Sequence, residues 1–528
     1  MSGLAFDSTE CDENWKRGYL HSLKVGLPSF EKLQGNLQVD KEDALVSNCI
    51  KNMDPAINSK IQLIESLPLG DGTSPFFTII RGFFQNETCS GSLGSVDINF
   101  PNGLTGEAQN AESFAVAETA TPNNYRLHLQ MTPEHVCRDE RLSEIFAGGG
   151  GDAYRPLLIC TENQLNNIGL NFATSLSASF KLLRNLDFKN KSFVPIGMPI
   201  NGDAFPYFTG NFYGNNKKIS NIRTYSTNGS DSIRPIQAQN DLGFIRVLEF
   251  GIVRDLTLNK MLLECVDPSD TECNGMGLLV GKIGGELINI KAHGFLDGYE
   301  EIGGIAGVGA CDPGDCKNLF FDGGIDGENY VGGIFGKLSD GILKKSAARA
   351  DIYAEGSNVG GIVGLNENTS TSITEVRSSG RVRGLQNVGG IAGENNKLIK
   401  DSYSLASVKA ESNAPLNVGG VAGANTDAIE RTFVAQGSVD GNDPGHASIG
   451  ELVGSNTGTP ICNDNFFPDA GPVAGTAECG TEYPYVNLYT ETNFTNFDFT
   501  APVWTMPDDG NDYPRLAWEA DWEDEISF

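Results

Sequence analysis

This chain is short of the residues that many enzyme and nucleic-acid-binding classes need. It has only five histidines, His21, His128, His135, His293 and His446, and no His-Glu-x-x-His, so the zinc-peptidase helix motif is missing. The five are scattered and read as structural or solvated. Basic residues are scarce: 38 lysines and arginines face 68 acidic residues, a formal net charge of −30. An evenly acidic surface keeps a protein soluble and argues against general affinity for nucleic acid or an anionic membrane. No apolar run reaches the roughly 18 residues a membrane span needs, so membrane insertion is not expected. No charged-then-apolar segment opens the chain, and we expect the numbering to start after a removed signal.

Glycine is abundant instead, with 64 residues in 528. Many lie in one recurring phrase, Val331-Gly-Gly-Ile-Phe-Gly336, Val359-Gly-Gly-Ile-Val-Gly364, Val388-Gly-Gly-Ile-Ala-Gly393 and Val418-Gly-Gly-Val-Ala-Gly423. Looser copies stand at Leu242–Ile245, Met276–Gly281, Ile302–Gly307 and Ile449–Gly454. From Met276 to Ile449 the starts are 26, 29, 28, 29, 30 and 31 residues apart. A period of that size marks a stacked-coil architecture.

Between the phrases the sequence alternates with period two. Val376, Ser378, Gly380, Val382 and Gly384 share one parity, and Arg377, Ser379, Arg381 and Arg383 the other. One coil earlier Ser346, Ala348, Ala350, Ile352 and Ala354 alternate with Lys345, Ala347, Arg349, Asp351 and Tyr353. One coil later Ser402, Ser404, Ala406, Val408 and Ala410 alternate with Asp401, Tyr403, Leu405, Ser407 and Lys409. Alternation puts the small, β-branched set inside and the other set in solvent. Val388 and Ile391 have opposite parity on a flat strand, so Gly389-Gly390 is expected to bend the backbone and turn both inward. The fold class is therefore mainly β: a right-handed parallel β-solenoid, β-helix-like, with a helical and β-rich N-terminal capping region. About ten coils spaced ~4.8 Å apart make a rod of roughly 50 Å.

Four regions follow. Residues 1–70 read as helical, with Trp15, Tyr19, Leu23 and then Ile57, Ile61, Ile64 and Leu67 at 3–4 spacing. Residues 71–148 read as a small β-rich module, with strands at Phe76–Ile80 and Tyr125–Met131. Residues 149–470 are the solenoid and 471–528 a C-terminal capping segment. Within the first coils, Leu157–Ile159 reads as a strand and Glu162–Ile168 as a short helix with Thr161 as its N-cap.

Three pieces together resemble a known family. They are Pro156-Leu-Leu-Ile-Cys-Thr-Glu-Asn-Gln-Leu165 with Pro195-Ile-Gly197, Phe208–Asn216 with Ile219-Ser-Asn-Ile222, and the Val-Gly-Gly-Ile-x-Gly series. They look like the GLUG-motif family of extracellular bacterial repeat proteins. The tail Phe494–Phe499, Trp504-Thr-Met506, Tyr513-Pro-Arg-Leu516 and Trp518-Glu519 resembles that family's closing segment. The resemblance runs from about 150 to 520. It implies a secreted or cell-surface, adhesin-like protein; some relatives carry peptidase domains.

The cysteines suit such a compartment. Cys265 with Cys273, Cys311 with Cys316, and Cys462 with Cys479 are close pairs in loop-like sequence and read as disulfides. Cys11 with Cys49 and Cys89 with Cys137 are further candidate pairs, and Cys160, among apolar residues, reads as a buried free thiol. The competing reading is a cytosolic protein with reduced thiols.

Candidate chemistry is sparse. Asp267, Asp270 and Glu272 lie in the Cys265–Cys273 loop, where they could hold Ca2+ or be plain solvated turn residues; no other cofactor is expected. Asp312 with Asp315, and Asp508, Asp509 and Asp512, are weaker groups of the same kind. Arg377, Arg381 and Arg383 form a basic strip that could grip a sulfated or carboxylated glycan. The competing reading stacks Asp351 over Arg381 as a cross-strand ion pair. No acidic pair recurs with the intent of a polysaccharide hydrolase or lyase, and no threonine ladder suggests ice binding. The sequence thus points to a non-catalytic extracellular adhesion or recognition scaffold whose partner is a cell-surface glycan or protein. A self-assembling fibre or surface-layer subunit and a carbohydrate-active β-helix enzyme are the alternatives.

Overall fold

The computed structural model describes residues 61–64, 111–118 and 125–131 and, with breaks, 137–522. Two compact units emerge, Met1–Asn167 with Ala178–Arg184, and Ile168–Ser177 with Asn185–Phe528.

In the first unit Tyr125–Met131 is a strand, as its alternation predicts, and lies between two others. Ala111–Glu118 pairs with it antiparallel and Ile61–Ile64 pairs parallel. Ile61–Ile64 is therefore extended where the 3–4 spacing predicts helix. Ile61, Leu63 and Ile64 around Gln62 are too short a run to fix either period, and partner strands decide between them. Leu157–Ile159 pairs in parallel with Phe180–Leu182. The helix runs Glu162–Leu170, and the Gln164 N–H donates to the Thr161 hydroxyl at 3.2 Å, the predicted cap. The cysteine assignment changes here. Cys160 is not free: it is bonded to Cys137, which removes the Cys89–Cys137 pairing. Both lie in a buried cluster with Ala147 and Leu183. Apolar flanks bury a sulfur without saying whether it is bonded. Cys11, Cys49 and Cys89 lie outside the described residues.

The second unit is a parallel β-solenoid; the whole fold has about eight turns. Its period comes from the glycine phrase. Val331, Val359, Val388, Val418 and Ile449 stand in register on successive strands of one seven-stranded parallel sheet. Each strand stops at the first glycine of the pair, and a second parallel series begins three residues on, at Phe335, Val363, Ala392, Ala422 and Val453. Val388 and Ile391 are both fully buried, so the glycine pair is the predicted corner. Its cause is close approach. A Cβ on Gly390 would lie 2.0 Å from the Gly420 carbonyl oxygen and 2.3 Å from Ser404 Oγ. Left-handed backbone falls instead on the residue before the valine, at Asn358 (φ 63°) and Asn387 (φ 52°). Asparagine tolerates that conformation best among residues with a Cβ.

Asparagine also fills the next corner. Asn366, Asn395, Asn425 and Asn456 close successive strands, and their amides form a ladder: each Nδ2 donates to the next Oδ1, at 2.7, 2.8 and 2.9 Å. Three of the four are fully buried. Elsewhere the interior is as small as the alternation predicts. Ser346, Ala348, Ala350, Ile352 and Ala354, and Ser402, Ser404, Ala406, Val408 and Ala410, are all at most 2% exposed. The inward serines are satisfied locally. Ser402 Oγ donates to the Lys400 carbonyl at 2.7 Å and accepts the Val376 N–H at 3.1 Å; Ser346 repeats the arrangement with Lys344 and Leu319.

Candidate functional site

The predicted strip does not survive as one site. Arg377, Arg381 and Arg383 share a strand and a parity, yet the structure separates them. Arg381 and Arg383 both reach Asp351 one coil earlier, Arg383 at 3.1 Å and Arg381 in tighter contact. Asp351 faces Arg381 in the register, the cross-strand pairing the sequence offers as the second reading. Arg383 also lies over the Tyr353 ring at 5.7 Å. Their charge is thus met on the surface by a neighbouring carboxylate.

Arg377 has another fate. Its side chain is 3% exposed and lies 3.5 Å from Glu519, itself 7% exposed. The Tyr403 hydroxyl donates to the same carboxylate, 2.7 Å from Oε1 and 2.9 Å from Oε2, and the Leu516 N–H adds a bond at 3.1 Å. Burial pushes the Glu519 carboxyl above its usual range, against the pull of Arg377, Tyr403 and the Leu516 amide. Burial and the adjoining Glu519 charge push the Tyr403 phenol up as well. Arg377 was a candidate ligand contact; here it is the floor of a buried, fully enclosed polar group. Gly380 (φ 99°) lies between Arg377 and Arg381 in the same continuous strand, Ser372–Gly384.

What covers Arg377 is the C-terminal segment. Thr481–Tyr483 pairs in parallel on Phe466–Pro468 and adds a last rung. The chain then turns back along the flank through two 3-10 turns, Tyr485–Tyr489 and Glu491–Asn493, and a two-strand pairing of Trp504–Thr505 with Arg515–Leu516. This strap lies on an outward column in which Phe320, Ala347, Arg377, Tyr403, Phe433 and Phe466 stand in register. Tyr403 and Phe433 stack at 5.2 Å, and Trp504, fully buried, sits 5.6 Å from Phe433. Trp518 Nε1 donates to the Glu375 carbonyl at 3.1 Å. The parity assignment of Arg377 and Tyr403 to the outside is correct; the strap is what buries them. Recurrence of Tyr403, Phe433 and Phe466 at one outward coil position is the sequence signal for it.

Of the other candidates, Cys311–Cys316 and Cys462–Cys479 are bonded as predicted. Cys273 is disulfide-bonded. Cys265, Asp267, Asp270 and Glu272 lie outside the described residues. Among the described residues no group of three or more histidines, cysteines or carboxylates is arranged to hold a metal ion. None of their helices is long and apolar enough to cross a membrane.

Coils, corners and strap define the class: a parallel β-solenoid built on glycine-pair corners, with one flank sealed by its own C-terminal segment. Residues 355–383, which span one corner and the strand holding Arg377, match the GLUG motif. The chain is also similar to halomucin of Haloquadratum walsbyi (strain DSM 16790 / HBSQ001). They are 29% identical over 168 residues, which is 30% of this chain and 2% of halomucin, so the chain spans a small fraction of that relative. Among solved structures it is similar to a candidate immunoglobulin A1 protease from Bacteroides ovatus. That match covers 71% of this chain and 96% of the other at 16% identity, with a TM-score of 0.33, too low to carry an argument on fold or activity.

Proposed function

We propose that this protein is a surface-associated, non-catalytic scaffold that presents side chains for recognition or adhesion. The observation that supports this most is the coil stack itself. Like corners repeat in register, the interior is filled by isoleucine, valine and small residues with an asparagine ladder, and one flank is sealed by the strap, so the variable residues project outward from the remaining faces. A solenoid displays side chains along its faces, which suits recognition of an extended partner. The disulfides support an oxidising, extracellular setting, and the likeness to halomucin supports a surface location.

Labelling of intact cells of the source organism with an antibody to the solenoid tests location. Labelling without permeabilisation is expected; signal only after lysis overturns the reading. Incubation with a panel of polysaccharides and polypeptides tests the non-catalytic part. No new reducing ends, unsaturated sugars or cleaved peptides are expected, and the release of any of them overturns it.

A further inference from the structure

The net charge of −30 is not spread evenly. Residues 185–260 hold nine lysines and arginines against six acidic residues, in a chain that holds 38 against 68. Two cations of this stretch are paired, Arg246 with Asp241 at 3.6 Å and Arg254 with Asp255 at 3.7 Å, but five others are not. From Lys337 onward, every described lysine and arginine lies in an ion pair. Lys189, Lys191, Lys218, Arg223 and Lys260 are all exposed and lie in no ion pair among the described residues.

These five gather at one corner of three stacked coils. Leu186–Asp187 pairs with Ile219–Ser220, which pairs with Leu258–Asn259. Lys189 (φ 53°) sits in a left-handed turn past Leu186–Asp187, and Lys260 (φ 54°) has left-handed backbone within the strand Ile245–Glu264. The Arg223 N–H donates to the Lys191 carbonyl at 3.3 Å, which brings that pair together just past the corner. Lys218 is on the adjoining outward face, two residues before Ser220. Asp187 is the carboxylate in their midst. It already accepts from Asn221 Nδ2 at 2.7 Å and from the Lys189 N–H at 2.9 Å, and those hydrogen bonds, with the more distant charges of Lys189 and Lys260, hold it below its usual range.

The register adds a second observation. Lys218, Thr257, Lys291 and Phe320 occupy successive rungs of the same outward column that continues through Arg377 to Phe466. At its far end this column already holds an extended segment of chain, the strap. There it is aromatic; at Lys218 it is cationic and exposed.

We propose that this corner binds an acidic polysaccharide laid across the coils. The inference rests on the surface-recognition reading and names its ligand class. Parallel rungs repeat at about 4.8 Å, so cations on three successive coils meet charges spaced along a polymer rather than one small anion. Four of the five are lysines, flexible point charges that can follow charges spaced along a chain. Asn190, exposed beside Lys189, and the Asn221 and Asn259 side chains, which bond to Asp187 and Ser220, add neutral polar groups between the cations. The three segments present no exposed aromatic ring, whereas single-stranded nucleic acid calls for stacking platforms.

Affinity electrophoresis of the full chain decides the matter, with polygalacturonate, neutral dextran, poly-glutamate and single-stranded DNA as probes. The variant is Lys189→Asn/Lys218→Ser/Lys260→Asn, with asparagine where the backbone is left-handed. Arg381→Ser/Arg383→Ser is the control, and thermal midpoints confirm folding. Retardation by polygalacturonate and not by dextran is expected, weakening with salt. The triple variant should lose at least tenfold in affinity and the control less than twofold. No retardation by polygalacturonate, equal loss in the control, or tighter binding of poly-glutamate or DNA would each overturn the assignment. The cell-labelling result stands apart from all of these, so the site can fail while surface location holds.

Discussion

Arg377 meets Glu519, 142 residues away in sequence, at 3.5 Å inside a site that leaves each side chain less than a tenth exposed. The pair ties the strap to a coil well inside the solenoid. Removing one partner leaves a buried charge alone, which typically costs about 3–5 kcal/mol, whereas replacing both with apolar groups costs far less. Glu519→Leu should therefore lower stability in urea unfolding by about 3 kcal/mol, and Arg377→Met/Glu519→Leu should recover at least half of that. Equal loss in the single and double variants would mean that the carboxylate serves Tyr403 alone.

Gly390 should be intolerant for a reason of space. The Gly420 carbonyl and the Ser404 hydroxyl occupy the volume a Cβ would need. Gly390→Val is expected to cost well over about 1 kcal/mol. Gly284→Ala is the comparison. Its nearest neighbour to an added Cβ is 3.7 Å away, and the change should stay within about 0.5 kcal/mol. Thermal denaturation of both separates a packing limit from a general aversion to side chains at solenoid glycines.

Asn395 accepts from Asn366 and donates to Asn425. Asn395→Leu fills the volume but leaves a buried donor on one side and a buried acceptor on the other, at about 1–3 kcal/mol each. We expect a loss of 2 kcal/mol or more, roughly, and faster hydrogen exchange at the amides of both adjoining coils. An unchanged exchange pattern would show that the ladder follows the backbone rather than holding it.

Asp322 gives the flank a defined acid response. Burial would raise its carboxyl, but the nearby His293 and the hydrogen-bonded Arg349 outweigh that and hold it well below the usual carboxylate range. Arg349 Nε lies at 2.7 Å and His293 Nδ1 at 3.6 Å. A depressed folded-state value means stability that is fully present above the unfolded carboxyl's titration, near pH 4, and is lost as pH falls toward the folded value. Asp322→Asn should therefore destabilise most at pH 5–7, roughly, and the difference from the parent should shrink below about pH 4. A difference that stays constant between pH 7 and pH 3 would remove the carboxylate from the account.

Much of this fold is legible because a solenoid writes its geometry in two short-range rules. The spacing of Val331, Val359, Val388 and Val418 sets the coil, and parity from Val376 to Gly384 sets inside and outside. Asp351 under Arg381 follows from register alone. What the sequence hides depends on distant contacts. Arg377 and Arg381 look equivalent by parity, and only the arrival of Glu519 and Trp518 separates them. Cys160 looks like an isolated apolar sulfur until Cys137 is brought to it. Ile61 and Ile64 fit helix and strand equally well until Tyr125–Met131 supplies a partner. The cationic corner escapes a summed charge, because a net value of −30 says nothing about which coil holds its cations unpaired.

Phe250 is the least economical residue on the solenoid. Its backbone is left-handed, with φ 61°, and its ring is 72% exposed. A Cβ in that conformation costs about 1–2 kcal/mol, less for asparagine, and so exposed a ring regains little of it by burial. The turn is required all the same. Gly251, the next residue, lies so close to Gly210 that a Cβ there would fall 2.1 Å from the Gly210 carbonyl oxygen, so the chain must pass this corner tightly. Phe250→Asn keeps the turn and lowers its cost. It should raise stability by roughly 0.5–1 kcal/mol in urea unfolding. A loss of stability instead would mean that the ring is held by contacts on the folded protein that its exposure does not reveal.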